Sequence, residues 1–208
     1  MKRILYTSLL LSLLSPTCFA QETAPWEVFG GYSFQRADVR EYFISRPTPL
    51  IYAARHHYVN MNGWELSVTE NLNRWFGGTL DISGYYKSPA VRSVTTRDQI
   101  FSILYGPQFT YRKDANIGAP GRLIFSSVPF AHILFGGAHT SATVGPPGPH
   151  ASDFSFAMAL GGGLDWPLTS DASIRLLQLD YLRTNALGAG QNNYRASIGV
   201  VLRLGKPK

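Results

Sequence analysis

Apolar and polar residues alternate with a period of two along most of the chain, which is typical of β-strands that have one apolar face. Residues 154–166 show it most clearly, because the even positions are mostly large and apolar while the odd positions are small or polar. Residues 194–204 repeat the pattern. Four further segments predict strands in the same way: residues 26–34, 63–70, 76–86 and 101–112.

Two more segments predict strands with weaker patterns. Residues 128–139 are apolar on both faces, and in residues 173–182 the charged Arg175 falls among the apolar positions. Two explanations fit Arg175: it lies near an interface and extends its charge to water, or a β-bulge shifts the register beside it. The total is eight predicted strands.

The predicted connections differ in length at the two ends of the strands. Residues 36–60 and 140–153 form long connections, and 87–98 and 183–193 are of medium length. On the other side, residues 71–74 and 167–172 form short turns, and 113–122 is moderate. An even strand number with short turns at one end and longer loops at the other is typical of outer-membrane barrels, whose termini are periplasmic. The expected fold is an all-β, eight-stranded antiparallel up-and-down transmembrane β-barrel.

Composition indicates which face of these strands meets lipid. Charged residues make up 15% of the chain, against about 25% in ordinary soluble domains, yet no apolar run reaches the roughly 20 residues of a membrane helix. The less apolar faces carry Gly, Ala, Ser and Thr with isolated charges, which would make a poor soluble surface. Such faces suit the narrow interior of an eight-stranded barrel, so the apolar faces are expected to contact lipid.

Aromatic residues are expected to form belts at the two membrane interfaces. Trp26, Trp75 and Trp166 fall at the predicted periplasmic strand ends. The predicted outer ends carry Trp64, Tyr85, Tyr86, Tyr181 and Tyr194.

The inward-facing charges are expected to form two layers that plug the lumen, because charges buried in a narrow barrel must be paired. One layer, toward the outer ends, consists of Glu65, Asp81, Asp180 and Arg195. The other, toward the periplasmic ends, consists of Glu27, Arg112, Asp165 and Arg203. A wider, water-filled bore is the alternative.

The first twenty residues have the pattern of a secretory signal peptide: the basic Lys2 and Arg3, a short apolar stretch over 4–14, and Ala20 before the cleavage point. The predicted domains are therefore the signal peptide, 1–20, and the barrel, 21–208. Cys18 is the single cysteine, so the mature chain has no thiol for catalysis, disulfides or metal binding.

A family resemblance rests on several motifs in order. The opening strand, Trp26-Glu27-Val28-Phe29-Gly30-Gly31-Tyr32-Ser33, is followed by Gly106-Pro107-Gln108-Phe109, Gly161-Gly162-Gly163-Leu164-Asp165, Asp180-Tyr181-Leu182-Arg183 and Gly199-Val200-Val201-Leu202. Together they resemble the bacterial outer-membrane β-barrel domain family of small OmpA-like, porin-type barrels. One departure is that Leu204 is followed by Gly205 and Lys206, without a terminal aromatic residue.

One pair of residues resembles a catalytic pair. His139 and Ser141 are two apart, so on a strand they share a face, where the imidazole would activate the hydroxyl. The pair is similar to the His-x-Ser pair of outer-membrane lipid A deacylases, which also need a carboxylate to orient the histidine. Asp153 is the nearest downstream carboxylate, and a simple interface histidine is the competing interpretation.

These observations favour a non-enzymatic outer-membrane protein with a role in envelope structure or surface interaction. A narrow channel for small solutes and a lipid A-modifying hydrolase are the alternatives. The expected partners are outer-membrane lipids, including lipopolysaccharide, and the outer-membrane assembly machinery. No nucleic acid, cofactor or metal is expected, and the chain is expected to be a monomer.

Overall fold

A computed structural model describes residues 23–44, 52–87, 96–112, 127–144, 150–185 and 190–205. The predicted signal peptide lies outside these described residues. Within them, no helix is long and apolar enough to cross a membrane.

Eight strands form one closed barrel in which each strand pairs antiparallel with its neighbours in sequence, and β8 pairs with β1. The predicted fold class is therefore confirmed. The strands are β1 (Trp26–Ile44), β2 (Tyr52–Asn71), β3 (Phe76–Tyr86), β4 (Thr96–Thr110), β5 (Val128–Val144), β6 (His150–Pro167), β7 (Ala172–Thr184) and β8 (Gln191–Leu204).

The two ends of the barrel are distinguished by where the chain enters and leaves. Trp26 and Leu204 are paired at one end, which we call the terminus end. The tight turns at 72–75 and 168–171 lie there, and Asn73 caps the first of them by accepting the N–H groups of Trp75 and Phe76 at 2.9 and 2.8 Å. The opposite end, where β1 turns into β2 and β5 into β6, is called the hairpin end.

The predicted long connections at 36–60 and 140–153 are wrong, because most of these residues are strand. Pairing of β1 with β2 continues to Ile44 and Tyr52, and pairing of β5 with β6 continues to Thr143 and His150. Backbone hydrogen bonds between strands need no apolar face, so a hairpin continues beyond the point where the alternation fades. The segments between these strands are only 45–51 and 145–149, and the longest gap between strands, 111–127, is at the terminus end.

The barrel has an apolar exterior and a polar interior. Outward side chains on β6 such as Phe154 and Phe156 are 75% and 58% exposed, whereas the inward Ser155 is 6% exposed. On β3 the polar Thr79, Asp81 and Ser83 are buried, although they alternate with the exposed Leu80 and the half-buried Ile82. A soluble barrel has the opposite arrangement, with its charges outside.

A β-bulge explains the charge that breaks the pattern of β7. The pairing of β7 with β8 shifts register between Arg175 and Gln178, and Leu176 and Leu177 both lie on the outer face. The extra outward residue restores the alternation and turns Arg175 inward, where it is 4% exposed. Of the two explanations for Arg175, the bulge is therefore correct.

Candidate functional site in the barrel lumen

Arg195 of β8 lies at the centre of the lumen and contacts three carboxylates. Its guanidinium donates to both carboxylate oxygens of Asp81 at 2.9 and 3.2 Å and to Asp180 at 2.6 Å, and it lies 3.5 Å from Glu65. Asp81 is on β3 and Asp180 on β7, which are opposite walls of an eight-stranded barrel. Arg195 therefore joins the two walls across the lumen.

Amide, hydroxyl and imidazole side chains complete this set of contacts. Gln178 donates to Glu65 at 2.7 Å and to Asp180 at 2.8 Å, and the Ser197 hydroxyl donates to the other oxygen of Glu65 at 2.5 Å. The second oxygen of Asp180 lies 2.8 Å from the Nε2 atom of His132. We call Glu65, Asp81, His132, Gln178, Asp180 and Arg195 the central network; it connects five of the eight strands.

A second cation fills the lumen between the central network and the terminus end. Arg175 donates to the two carboxylate oxygens of Asp165 at 2.8 and 3.0 Å and to Gln178 at 2.6 Å. Its guanidinium lies between two rings, 4.3 Å from the centroid of Phe29 and 4.1 Å from that of Phe130. These rings come from β1 and β5, which again are opposite walls, so the sandwich closes the bore at this level.

The lumen at the terminus end holds a third set of charges. Glu27 accepts from Arg112 at 3.0 Å and from Arg203 at 3.3 Å. Arg203 also donates to Ser173 at 2.7 Å, and Arg112 to the backbone carbonyl of Arg74 at 2.7 Å. These side chains are slightly more exposed than the central network, as expected at a mouth of the barrel.

Apolar side chains fill the lumen on the hairpin side of the central network. Leu104, Leu134 and Leu182 are fully buried there together with small alanines of β5 and β6. A second group contains Met61 and Tyr85. These residues interrupt the polar lining between the central network and the hairpin end.

Glycines on β6 make room for the central side chains. A Cβ atom on Gly161 would lie 1.8 Å from the Oδ1 atom of Asp180, and one on Gly163 would lie 2.9 Å from the ring of Phe130. Both positions therefore require the absence of a side chain. Gly161 and Gly163 thus serve close packing inside the barrel.

All eight predicted lumen charges face the interior, but their grouping differs from the prediction. Glu65, Asp81, Asp180 and Arg195 meet one another, whereas Asp165 pairs with Arg175 instead of joining the layer of Glu27, Arg112 and Arg203. The first set lies at mid-strand instead of near the outer ends, since Asp81 is the central residue of β3. Glu65 was placed near the outer end because the prediction began β2 at residue 63, whereas β2 begins at Tyr52.

Sequence reasoning missed several members of the site. His132 lies in a segment that is apolar on both faces, so nothing in the pattern marks it as a lumen residue. Arg175 was obscured by the bulge. Gln178 and Ser197 are on the polar faces of their strands, and alternation alone marks them as inward without indicating their partners.

Tyr85 was predicted to be an interface aromatic, and this is wrong. Its side chain is fully buried, and its hydroxyl lies 2.9 Å from that of Ser33. The odd positions of β3 face inward, so Tyr85 shares the interior face with Asp81 and Ser83, and Tyr86 takes the outer position. The other predicted interface aromatics lie on the outer wall or in a turn: Trp26, Trp75 and Trp166 at the terminus end, and Trp64, Tyr86, Tyr181 and Tyr194 toward the hairpin end.

His139 and Ser141 lie on the outer wall of β5, and the carboxylate is on the other side. His139 is exposed and pairs with the outward Phe154, whereas Asp153 pairs with Thr140 and shares the inward parity of Ser155. Asp153 therefore does not share a face with His139 and is not placed to orient it. Nor does the described part of the chain hold a group of three His, Cys, Asp or Glu side chains that suits a metal ion.

No protein-family model matches the sequence, and no curated protein matches it either. Among solved structures, the barrel superimposes on neisserial surface protein A (NspA) with a TM-score of 0.62 and 10% identity, over 88% of this chain and 99% of that one. The chain has the fold of the small eight-stranded outer-membrane barrels.

Two other solved barrels have the same fold, with lower TM-scores. Ail, the attachment invasion locus protein of Yersinia pestis, in complex with the heparin analogue sucrose octasulfate, gives a TM-score of 0.52 at 14% identity over 85% of this chain and 97% of that one. The outer membrane protein OprG of Pseudomonas aeruginosa gives 0.52 at 11% identity over 88% and 97%. At such identities the likeness concerns the fold alone.

Replacing Arg195 by methionine should destabilise the barrel strongly. Arg195→Met leaves three buried carboxylates without their cation, and removing one partner of a buried ion pair typically costs about 3–5 kcal/mol. Urea unfolding of the detergent-refolded chain measures the loss. Arg203→Met at the more exposed terminus end is the control, and an equal loss in the two variants would contradict a central role for Arg195.

Gly161→Ala should also destabilise the barrel, by about 1–3 kcal/mol, because the methyl group overlaps Asp180 and overpacks the interior. Gly30→Ala is the matched control, since a Cβ atom there has Leu66 Cδ1 at 3.9 Å as its nearest neighbour. The same unfolding experiment compares the two variants. If Gly161→Ala unfolds at the same urea concentration as Gly30→Ala, the packing argument is wrong.

Proposed function

We propose that the chain is a non-enzymatic outer-membrane barrel with a closed lumen that serves envelope structure or surface interaction. The observation that carries this proposal is the arrangement of its side chains. Apolar residues face outward round the barrel between the two levels of aromatic side chains, and paired charges together with buried leucines fill the interior. Only an apolar solvent makes such an exterior favourable.

The height of the apolar exterior supports a membrane location. On β1 the outward residues from Trp26 to Phe34 are apolar or aromatic, or glycine, and the exposed Arg36 follows them. A tilted strand needs about 9–11 residues to cross a bilayer, which matches this stretch. Aromatic side chains at both of its limits fit the two interfaces of a membrane.

Two features support an orientation with the termini in the periplasm. The predicted signal peptide directs export, and the sheet extends beyond the apolar exterior at the hairpin end, where β1 and β2 continue to Ile44 and Tyr52. Outer-membrane barrels usually extend farther on the outer side than on the periplasmic side. We therefore place the hairpin end outside the cell.

The filled lumen favours a structural or surface role over a channel. The Arg195 contacts, the Arg175 sandwich and the buried leucines each occupy the bore at a different level. The hydrolase alternative lacks a carboxylate on the face of His139. Ail, which shares this fold, is an attachment invasion locus protein, and we propose for this chain a role of that class, in surface interaction.

The proposed partners and oligomeric state follow from the apolar exterior and the closed sheet. Outer-membrane lipids, including lipopolysaccharide, would contact the apolar exterior, and the outer-membrane assembly machinery would insert the chain. Within the closed part of the sheet each strand is paired on both sides, so no strand edge is free there for pairing with another copy, which supports a monomer.

Single cysteines test both the membrane location and the orientation. The mature chain is expected to be free of cysteine, so Asn60→Cys at the hairpin end and Thr169→Cys in a terminus-end turn each introduce one thiol. A membrane-impermeant maleimide should label Asn60→Cys on intact cells, and Thr169→Cys only after the outer membrane is permeabilised. The reverse pattern would overturn the orientation, and labelling of both on intact cells would contradict a barrel that spans the outer membrane.

Planar bilayers test the closed lumen. The purified chain should give no steady single-channel conductance, because three levels of side chains block the bore. A general porin in the same bilayers is the positive control. A large, steady conductance from the folded chain would refute the closed lumen and favour the channel alternative.

A further inference from the structure

Two arginines on the outer wall lie just beyond the aromatic side chains at the hairpin side. Outward aromatic residues mark this level on seven of the strands, and we call them the hairpin-end girdle: Phe34, Trp64, Tyr86, Phe101, Phe154, Tyr181 and Tyr194. Arg36 follows Phe34 by two residues on β1, and Arg183 follows Tyr181 by two residues on β7. In a bilayer, the level directly beyond an aromatic belt is that of the lipid headgroups.

The guanidinium of Arg36 lies against the wall and donates no hydrogen bond to another residue in the described part of the chain. Its guanidinium lies over the ring of Tyr58, 4.8 Å from the centroid. Contact with a ring uses the face of the guanidinium and leaves the N–H groups at its edge available. Arg36 is exposed, and no carboxylate of the described residues forms an ion pair with it.

Arg183 has a similar environment. It is exposed on the outer face opposite Asn192, and its guanidinium lies beside the backbone of Gly190, where an added Cβ atom would be 3.3 Å away. Like Arg36, it has no ion pair with a described carboxylate. Within the described ranges, these two exposed guanidiniums thus lack the carboxylate partner that each lumen arginine has.

The two arginines belong to one sector of the wall, because only β8 separates β7 from β1. Arg183 is paired with Asn192 and Arg36 with Tyr194. From strand spacing and rise, their Cα atoms are roughly 12 Å apart, with the polar groups of Asn192 and Tyr194 between them. At the corresponding level on β2, β4 and β6 the outward residues Asn62, Gln99 and Ser152 are uncharged.

We propose that this sector, formed by Arg36, Arg183, Asn192 and Tyr194, binds the phosphate of a lipid headgroup in the leaflet at the hairpin end. The proposal rests on the proposed membrane location. A lipid is the occupant because the sector lies on the lipid-facing wall at headgroup level, with apolar residues below it for the acyl chains. Phosphate is the chemistry because guanidinium edges donate paired hydrogen bonds to its oxygens.

Spin-labelled lipids test this inference on the full folded chain. The chain is first inserted into phosphatidylcholine vesicles, and insertion is checked by its resistance to unfolding in cold SDS; failure at this step contradicts the membrane location and not the phosphate sector. Labelled phosphatidic acid and labelled phosphatidylcholine are then compared in the motionally restricted lipid fraction. Phosphatidic acid should be enriched, and each arginine should account for about fivefold in relative affinity.

Three variants distinguish lipid binding at this sector from a general attraction of the lipid to positive charge. Arg36→Gln with Arg183→Gln should insert equally well but lose the enrichment, whereas Arg36→Lys with Arg183→Lys should keep part of it. Arg74→Gln at the terminus end is the control and should keep all of it. Unchanged enrichment in the double glutamine variant, or an equal loss in Arg74→Gln, would overturn the proposal. So would abolition of the enrichment by soluble inorganic phosphate at the concentration of the labelled lipid, since the site would then be a general anion site.

Discussion

The pairing of Arg195 with Asp81, Asp180 and Glu65 is the interaction on which the interior depends. A guanidinium buried at mid-barrel is tolerated only when carboxylates surround it, and those carboxylates are tolerated only in its presence. Because Asp81 and Asp180 come from opposite walls, the contacts fix the distance across the barrel as well as the charge balance. Gln178 and His132 then satisfy the remaining carboxylate oxygens, so that the polar interior is connected from wall to wall.

Other local features are accommodations to this crowded interior. Gly161 and Gly163 have no side chains because Asp180 and the Phe130 ring occupy that space. The bulge beside Arg175 turns a cation inward that would otherwise face lipid, and Asp165 and two rings receive it there. Each feature weakens a regular strand locally, by removing a side chain or by shifting a register. Together they allow large polar groups to fit into a bore of only eight strands.

The period-two pattern predicted the strands, their number and which face is polar, because alternation reflects the solvent on each side of a sheet. It did not predict how deep each charged side chain lies in the barrel or which residues it pairs with. The hairpins beyond the apolar exterior were missed because backbone pairing leaves no mark in hydropathy. Tyr85 was misplaced because an aromatic near a strand end suits a membrane interface as well as a barrel core. Contacts such as Arg195 with Asp81 join residues 114 apart in sequence, and nothing local to either residue specifies them.

The position of Arg195 bears on closure of the sheet, because it lies on β8, which pairs with β1 to complete the barrel. Glu65 on β2 and Asp81 on β3 lie across that junction, whereas Asp180 is on the neighbouring strand β7. Water can solvate these acidic groups only while the sheet is open. Pairing of β8 with β1 therefore brings Arg195 to Asp81 and Glu65 and excludes water from the bore in the same step.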